Sequence, residues 1–297
     1  MLCHCDSFNY CASNAMDWKL VYFEKKEKIR LIKNYGGMIM LKKVFTIGSF
    51  VVLSSLALAG TLKVGASPVP HAEILNFVKA DLKKQGVDLK VVEFTDYVTP
   101  NLALSDGELD ANFFQHIPYL QKFASERKLK LTSVGKIHVE PIGLYSKKAA
   151  SLKNLKKGAT IAIPNDPSNG GRALILLHNK KLLVLKEPKN LYATEFDIVK
   201  NPNNFKFKAV ETAQLPRVLA DVDAALINGN YALESGLNPT KDALLLEGKE
   251  SPYANVIAVK VGKEKNADIQ KLVKTLQNPK VKEFIEKQYK GGVVAAF

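Results

Sequence analysis

The sequence predicts an α/β protein built from mixed, mostly parallel sheets with helices on both faces. Segments of alternating apolar residues, typical of strands, take turns along the chain with amphipathic segments of helical period. The first series is a strand at 61–66, a helix at 71–85 and a strand at 87–94. Such alternation favours parallel pairing, because a crossover helix returns the chain to the same end of the sheet. The pattern recurs in the second half, which indicates two α/β units of roughly 110–130 residues each.

The other predicted elements follow the same periodicities. In the first half they are a helix at 100–105, a strand at 111–114, a helix at 116–128 and strands at 131–138 and 143–146. In the second half they are a strand at 160–163, a helix through 173–178, a strand at 205–210, a helix at 213–221, a strand at 224–227, a helical turn at 231–235, a strand at 255–261 and helices at 267–276 and 281–289.

Composition narrows the function classes. The chain has 297 residues, of which 46% are hydrophobic and 24% charged, and a net charge of +14. The lysines are scattered singly or in pairs without interleaved aromatic residues, which predicts solvated faces and no nucleic-acid partner. HExxH, GxSxG and P-loop motifs are absent from the sequence. We therefore predict no enzyme activity, cofactor or metal.

Residues 40–59 are typical of a secretory signal peptide. Lys42 and Lys43 precede an apolar run, and Ala57-Leu58-Ala59 forms a small-x-small cleavage site. We expect export to the periplasm with cleavage near Ala59. Residues 1–39 are interpreted as an over-extended N-terminus, with translation starting at Met40. An alternative is a metal cluster at Cys3-His4-Cys5, but no second ligand pair follows at zinc spacing.

The segment 161–178, IAIPNDPSNGGRALILLH, predicts a candidate anion site. It passes from a buried strand through a run of turn-forming residues into a helix with Arg172 in its first turn. A helix N-terminus offers free N–H groups and disfavours a cation. A guanidinium there is well placed if a carboxylate or phosphate lies between it and those N–H groups, because Arg binds carboxylates with two parallel hydrogen bonds. The alternative is a surface arginine paired with a nearby acid.

Several long motifs carry a family resemblance. IPNDPSNGGRALILL (163–177) resembles the methionine-binding lipoproteins of the bacterial methionine ABC importer. Four further segments support it in the same order: 92–120 (VEFTDYVTPNLALSDGELDANFFQHIPYL), 139–148 (VEPIGLYSKK), 211–228 (ETAQLPRVLADVDAALIN) and 251–259 (SPYANVIAV). The resemblance covers about 62–297. It implies a two-lobed type II periplasmic binding-protein fold, with one lobe at 61–146 plus 255–297, the other at 147–254, and crossings near 147–152 and 250–254.

The resemblance also implies a function. A protein of this family captures L-methionine between its lobes and delivers it to the permease and ATPase subunits of a membrane transporter. We expect a monomer. Relatives usually end the signal in Leu-Ala-Gly-Cys and lipidate the cysteine, whereas Thr61 stands at that position here. We therefore expect a soluble periplasmic protein without the lipid anchor.

By the same resemblance, polar residues hold the amino-acid head group. Arg172, helped by the N–H groups of a Gly170-Gly171 turn, is predicted to bind the carboxylate. Asn228 and Asn255 are predicted to accept from the ammonium. The alternative for each asparagine is a cap of a turn or helix.

The thioether is expected to contact aromatic rings, against which sulfur packs well. Tyr97, Phe113, His116 and Tyr119 match the aromatic pocket of the family, and Tyr145 is a further candidate. Phe113, His116 and Tyr119 have an i, i+3, i+6 spacing around a strand-to-helix turn, so they can face one cavity. Phe114 is expected to point into the core, since strand neighbours alternate faces. The alternative is that all of these are ordinary core residues.

Two other readings stay open. An enzyme on the same scaffold would use His116 with Asp110 as general base and orienting acid. A binding protein of this family could instead take D-methionine, a methionine-containing dipeptide or another apolar amino acid. One methylene in an apolar pocket changes preference by only ~1–3 kcal/mol.

Overall fold

The computed structural model describes residues 60–248 and 251–297. The predicted signal peptide at 40–59 and the segment 1–39, with its three cysteines, lie outside the described residues. Within the described ranges, no helix combines the length and apolar character that crossing a membrane requires.

Strands and helices alternate along the chain, as predicted. The strands are β1 (Thr61–Ala66), β2 (Asp88–Glu93), β3 (Ala111–His116), β4 (Leu131–Val139), β5 (Gly143–Tyr145), β6 (Thr160–Pro164), β7 (Val184–Leu185), β8 (Ile198–Lys200), β9 (Lys206–Val210), β10 (Ala224–Ile227), β11 (Leu245–Leu246), β12 (Ala254–Lys260) and β13 (Val294–Ala295). The helices are α1 (Glu73–Lys84), α2 (Thr99–Asp106), α3 (Ile117–Arg127), α4 (Pro167–Asn179), α5 (Leu215–Val218), α6 (Gly229–Glu234), α7 (Pro239–Asp242), α8 (Ala267–Leu276) and α9 (Pro279–Tyr289).

The first sheet has six strands in the order β13–β4–β12–β3–β1–β2. β1 runs parallel to β2 and β3, whereas β12 runs antiparallel to β3 and β4. Successive residues of β12 point to opposite faces of the sheet. Ile257 packs in a core with α1, α8 and α9. Val256 packs in a smaller core with Leu104 of α2 and Leu120 of α3. Helices therefore cover both faces, as the α/β pattern predicts.

The second sheet has five strands in the order β11–β5–β10–β6–β9. β6 is parallel to β9 and β10, and β5 is antiparallel to β10 and β11. Leu226 of β10 packs with Leu174 and Leu177 of α4 on one face, while Ile227 packs with Leu215 and Leu219 on the other. Alternate residues of β10 are therefore buried on opposite faces, and the second sheet has a hydrophobic core on each face.

The chain passes twice between the two sheets. β4 ends in the first sheet at Val139 and β5 begins in the second at Gly143, so the first passage is 140–142. The passage was predicted near 147–152, but it occurs earlier in the sequence, because β5 already pairs with β10 of the second sheet. The second passage lies between β11 and β12, at 247–253.

α4 begins earlier than the turn-forming residues suggested. Asp166 caps it by accepting a hydrogen bond from the Asn169 N–H at 2.9 Å, and Pro167 occupies the first helical position, where no N–H is needed. Gly170 donates its N–H to the Asp166 carbonyl at 2.8 Å, inside the helix. The predicted Gly170-Gly171 turn is therefore wrong, because an effective cap and a proline start the helix before the glycines.

Gly171 is required by close packing. A Cβ at this position would clash with the Leu191 carbonyl oxygen and would lie 2.9 Å from the Ala193 nitrogen, both backbone atoms. Gly171→Ala should lower the free energy of unfolding by about 1–3 kcal/mol, despite the better helix propensity of alanine, because the 191–193 backbone must move. Urea denaturation would measure this change.

Gly60→Ala is the matched control, since its added Cβ would lie at an ordinary 3.8 Å from its neighbour. Equal stabilities of the two variants would contradict the packing argument.

Candidate functional site

A small cavity opens where strands of both sheets end. His116 ends β3, Glu140 follows β4, Asn228 follows β10, and Asn255 stands near the start of the antiparallel β12. Carboxyl ends of strands are the usual ligand position in α/β proteins. The cavity is lined by Tyr97, Phe114, Gln115, His116, Tyr119, Glu140, Asn169, Arg172, Asn228, Gly229, Asn230 and Asn255.

Arg172 lies in α4 and reaches both passages between the sheets. It is 2% exposed, and its Nη2 donates to the Glu140 carbonyl oxygen at 2.7 Å. Nε donates to Glu247 Oε1 at 3.1 Å and Nη2 donates to Glu247 Oε2, a bidentate ion pair, while the guanidinium stacks over the Tyr253 ring at 4.4 Å. Burial alone would lower the pKa of Arg172, but the charge of Glu247 raises it. Arg172 is thus both cavity-lining and paired with an acid.

His116 is held as a neutral imidazole. Its Nδ1 accepts the Tyr119 N–H at 3.2 Å, capping α3, so the proton sits on Nε2, which donates to Asn169 Oδ1 at 2.9 Å. Burial, followed by the nearby Arg172 charge, lowers the pKa of His116 to about 3. His116 therefore offers no positive charge to the cavity at neutral pH.

Asn169 is the hub of an amide network. Its Nδ2 donates to both Asp166 carboxylate oxygens at 3.0 Å, so its Oδ1 faces His116 and also accepts from Asn228 Nδ2 at 2.8 Å. This fixes the orientation of the Asn228 amide. Asn228 Oδ1 is buried and has no hydrogen-bond partner among the described residues. Asn228 thus offers the cavity an acceptor that no described residue uses.

Asn230 supplies the complementary group. Its Oδ1 accepts from the Tyr97 hydroxyl, which leaves Nδ2 buried and, in the part of the chain described, unpartnered. An unpaired buried polar atom costs ~1–3 kcal/mol, so such atoms in a native cavity point to a ligand or to water. The cavity offers an unpaired donor at Asn230 and an unpaired acceptor at Asn228.

A buried carboxylate, Glu140, lies between two imidazoles. Its Oε1 is 2.7 Å from His138 Nε2 and 3.1 Å from His71 Nε2, and the latter nitrogen is also 3.1 Å from Asn255 Oδ1. Although burial would raise the pKa of Glu140, the charge of His71 and hydrogen bonds from both histidines hold it below its usual range. Burial lowers the pKa of His138.

His71, His138 and Glu140 also offer three ligand atoms of metal-binding type within 4.8 Å of one another. Their hydrogen-bonding distances account for these contacts without an ion.

The aromatic wall differs from the prediction in one residue. Tyr97, His116 and Tyr119 line the cavity as expected, but so does Phe114, whereas Phe113 is 0% exposed in the core of the first sheet. The Phe113 ring packs edge-on against His71 and His138, with centroids 4.8 and 5.2 Å away. The predictions for Phe113 and Phe114 were therefore reversed.

A β-bulge explains the reversal. Gln115 pairs with Val256 while Phe113 pairs with Ile257, so Phe114 is an extra residue in β3 without an opposite partner on β12. The bulge interrupts the alternation of faces. An i, i+3, i+6 spacing that assumed a regular strand therefore selected the wrong phenylalanine.

Two other predicted site residues do not line the cavity. Gly171 lies inside α4 against the backbone at 191–193, and Tyr145 is 1% exposed in a core of the second sheet. Asp110 is also misplaced for the enzyme reading: it accepts the Lys63 N–H at 2.8 Å, and His116 pairs with Asn169 instead. Arg172, Asn228, Asn255, Tyr97, His116 and Tyr119 are brought together as predicted.

Sequence reasoning missed Phe114, Gln115, Glu140, Asn169, Gly229 and Asn230 as lining residues. Asn230 could have been found, since it stands two positions after Asn228 at a helix start. Glu140 is an acid in an apolar run, IHVEPIG, and such an acid must be paired if the run is buried.

Hydrogen bonds join the two sides of the cleft. Tyr97 donates to Asn230, His116 to Asn169, and the Tyr231 hydroxyl to the Thr95 carbonyl at 3.0 Å. Each of these hydrogen bonds joins the part of the chain that forms the first sheet to the part that forms the second. The described structure is therefore a closed form of the cleft.

Two sheets joined by two passages, with a cavity at their strand ends, define a two-lobed binding protein of the type II periplasmic class. The chain belongs to the NlpA lipoprotein family, whose model matches residues 62–297. The predicted resemblance is confirmed.

Relatives agree in sequence and in fold. The methionine-binding lipoprotein MetQ of Bacillus subtilis (strain 168) is 45% identical over 236 residues, 78% of this chain and 86% of that protein. A nutrient binding protein from Burkholderia cenocepacia bound to methionine is 50% identical, with a TM-score of 0.77 over 80% of this chain and 100% of that chain. An ABC transporter periplasmic substrate-binding protein from Coxiella burnetii is 44% identical, with a TM-score of 0.76 over 79% and 100%.

The neutral His116 has a consequence for stability. Between pH 6.5 and about 3 the unfolded chain binds a proton at this histidine and the folded protein does not, so stability falls as the pH falls through this window. His116→Asn keeps a capping oxygen but removes this dependence. From pH 7 to pH 5 the wild type should lose about 2 kcal/mol more than the variant, as measured by urea titrations at each pH.

Other titrating groups, including Glu140 and His138, are common to both proteins and cancel in the difference. Parallel stability curves would show that His116 is not held neutral.

Proposed function

We propose that this protein captures free methionine in the closed cleft and delivers it to an ABC transporter. The observation that carries the proposal is that one small cavity contains hydrogen-bond donors, hydrogen-bond acceptors and an aromatic wall. The donors are Arg172 and Asn230 Nδ2, and the acceptors are Asn228 Oδ1 and Glu140. A zwitterion with an apolar side chain needs these three environments. The printed names of the relatives support the same ligand.

The carboxylate is assigned to Arg172. The guanidinium uses Nε and Nη2 on Glu247 and on the Glu140 carbonyl, and Nη1 makes no hydrogen bond within the described ranges. A ligand carboxylate can therefore bind at Nη1 without displacing Glu247. The unpaired Asn230 Nδ2 offers a second donor, so both carboxylate oxygens can be satisfied.

The thioether is assigned to the aromatic wall. Phe114, Tyr97 and Tyr119 form a cluster with ring centroids 5.7 to 6.1 Å apart. The Tyr119 hydroxyl donates to the Tyr97 carbonyl at 2.8 Å, which fixes the ring. Sulfur near aromatic rings gains ~0.3–1.5 kcal/mol, enough to favour methionine over an aliphatic side chain of equal length.

The hydrogen bonds that close the cleft favour a single amino acid as the ligand. A methionine-containing dipeptide would have to break the hydrogen bonds that join the two sides of the cleft. D-methionine fits the same group chemistry and is therefore included in the binding assays.

The cellular setting belongs to the same proposal. The signal-peptide pattern supports export with cleavage near Ala59, and the family supports work outside the cytoplasmic membrane with permease and ATPase subunits. We propose a monomer that binds and releases methionine without chemical turnover. Lobe one comprises 60–139 and 254–297, and lobe two comprises 143–246.

Arg172→Ala should weaken methionine binding by about 100-fold or more, because the charged donor at Nη1 is lost and Glu247 is left without its partner in a buried site. Isothermal titration calorimetry with L-methionine and D-methionine would measure the change. Arg172→Lys keeps the charge but not the fork and should show a smaller loss. Arg217→Ala, on an exposed helix, serves as the surface control. Unchanged affinity in Arg172→Ala would exclude Arg172 as the carboxylate anchor.

Phe113 and Phe114 form a matched pair, since one is in the core and the other lines the cavity. Phe114→Leu should weaken methionine binding about 5–10-fold while alanine binding changes little, because only methionine reaches the aromatic wall. Phe113→Leu should lower the free energy of unfolding by about 1–2 kcal/mol with a smaller effect on affinity. Calorimetry and urea denaturation on both variants would separate the roles, and the reverse pattern would contradict the bulge argument.

A further inference from the structure

Positive charge is concentrated in one part of the chain. Residues 147–210 contain thirteen Lys and Arg and four Asp and Glu, a net charge of +9. The rest of residues 60–297 has a net charge of only +1. The lysines that look scattered in the sequence therefore belong mostly to one part of lobe two. An asymmetry of this size gives that part a positive potential, which attracts anionic surfaces.

The same part of lobe two carries exposed apolar side chains. Phe196 is 100% exposed, the largest fraction for any large apolar residue in the described ranges, and Val199 is 55% exposed. Val184 of β7, 37% exposed, lies directly opposite Lys200 of β8 in the antiparallel pair, so both project from the solvent side. Three apolar side chains thus reach the solvent from one two-stranded unit and the turn before it.

Phe196 stands on a turn that is fixed without it. Thr194 donates its backbone N–H and its hydroxyl to Asp197 Oδ2 at 2.7 and 2.9 Å. The Asp197 N–H donates in return to the Thr194 carbonyl at 3.0 Å. These hydrogen bonds hold the single helical turn Glu195–Asp197, and the ring between them contributes no packing. A fully exposed ring in a fixed position gains free energy if it enters an apolar medium.

Exposed lysines flank this two-stranded unit on several segments. Two follow the end of α4, two stand in the loop after β7, and one ends β8. A further pair comes from the turn before Gly158, whose N–H donates to the Asn203 carbonyl at 2.8 Å and so brings that turn against the turn after β8. The seven lysines are Lys156, Lys157, Lys180, Lys181, Lys186, Lys189 and Lys200.

These seven ammonium groups are not neutralised locally. None of them forms an ion pair with another of the described residues. Three acids lie in the same unit, Glu187, Glu195 and Asp197, and the last of them accepts both hydrogen bonds from Thr194. The β7–β8 face, defined as Val184, Phe196, Val199 and the seven lysines, is therefore both basic and apolar.

This combination of groups fits a lipid surface better than a protein. Aromatic rings favour the headgroup level of a membrane, and lysines near an anionic leaflet bind its phosphates. Protein–protein interfaces are by contrast depleted of lysine. Lysine side chains are long and flexible, so they can follow a fluid array of headgroups without a fixed partner geometry.

We propose that the β7–β8 face binds an anionic phospholipid surface, with Phe196 at the headgroup level and the lysines on phosphate groups. Attachment by one ring and a set of lysines is reversible and sensitive to salt. The Leu185 N–H donates to His178 Nδ1 at 3.1 Å, in the last turn of α4, whereas Arg172 lies in its first half. β7 is thus anchored at the end of α4 away from the cavity, and the face can bind lipid while the cleft holds a ligand.

Co-sedimentation with vesicles tests the proposal. Residues 60–297 are used, a span that a solved relative matches over its whole chain, because the apolar segment before it would itself bind lipid. The protein should bind vesicles of equal parts phosphatidylcholine and phosphatidylglycerol ~10-fold or more tightly than vesicles of phosphatidylcholine alone. Added sodium chloride should release it. Equal binding to the two kinds of vesicle, or no binding to either, would overturn the proposal.

Apolar variants test the ring. Phe196→Ser should weaken binding to the anionic vesicles ~10-fold, and Val199→Thr should weaken it ~2–3-fold, because each loses apolar area that enters the headgroup region. Val261→Thr is the matched control, since Val261 is 56% exposed but lies after β12 in lobe one, and it should leave binding unchanged. Full binding by Phe196→Ser would show that the ring does not meet lipid and would contradict the assigned face.

Charge-reversal variants test the position of the lysines. Lys189→Glu with Lys200→Glu should weaken binding to anionic vesicles ~25-fold or more, at roughly fivefold for each lysine removed. Lys263→Glu with Lys265→Glu makes the same change in net charge on lobe one and should change binding less than about threefold, because distant charges are screened. Equal losses in the two double variants would assign the attraction to the net charge of the whole protein and overturn a defined face.

Other occupants of the face give other results. If the face joined two copies of the chain, analytical ultracentrifugation would show a dimer that Phe196→Ser dissociates, without preference for anionic vesicles. If it met an acidic protein, purified transporter subunits in detergent would retain the wild type and lose Phe196→Ser, again without that preference. Either result would overturn the lipid assignment.

The proposal is separable from the proposed function. Calorimetry with L-methionine should give the same affinity for Phe196→Ser as for the wild type, since the face is not part of the cavity. Failure of the wild type to bind methionine would overturn the proposed function and leave the vesicle result as it stands. Should a variant not fold, as judged by circular dichroism, the wild-type comparison of anionic and neutral vesicles decides.

Discussion

The ion pair of Arg172 with Glu247 is the interaction on which the arrangement of the cleft depends. Arg172 stands on α4 of the second sheet, Glu247 on the second passage between the sheets, and the Glu140 carbonyl on the first. One guanidinium therefore ties a helix to both passages while Tyr253 packs beneath it. The bidentate geometry leaves little freedom, because two parallel hydrogen bonds set both distance and plane. Nη1 makes no hydrogen bond within the described ranges, and Arg172 lines the cavity.

The cavity around this ion pair is polar, but most of its charged side chains have a partner of opposite charge or a hydrogen-bond partner. His116 is neutral because burial and Arg172 disfavour its protonation. Its Nε2–H and the Asn228 amide both donate to Asn169, whose own orientation is set by Asp166. Each amide is thereby fixed in one orientation, which leaves one unpaired atom on Asn228 and one on Asn230, both residues that line the cavity. Such preorganised dipoles discriminate ligands without moving on binding.

Hydrophobic periodicity predicts which side chains are buried where a helix or strand is regular, and it fails where the element is irregular. The periods of 3.6 and 2 predicted most helices and strands, including β10, whose residues alternate between two cores. The same reasoning chose Phe113 over Phe114, because a bulge in β3 leaves no local trace in FFQH. A run of turn-forming residues predicts a turn at Gly171, but the Asp166 cap starts the helix before it. Tyr145 was assigned to the wrong side of the passage between sheets, since antiparallel pairing with β10 is a non-local event.

The sequence by itself determined the α/β class and the family, and it predicted Arg172 and the polar residues that follow the strands as parts of the candidate site. These properties depend on hydrophobic period, on chain order and on motifs that are contiguous. Only the tertiary structure decided which acid neutralises Arg172, which phenylalanine faces the cavity, and that Glu140 lies between two histidines. The partners in these contacts are 75 residues apart for Arg172 and Glu247 and 184 apart for His71 and Asn255. Such pairs are selected by how the two sheets pack against each other, and no short stretch of sequence records that packing.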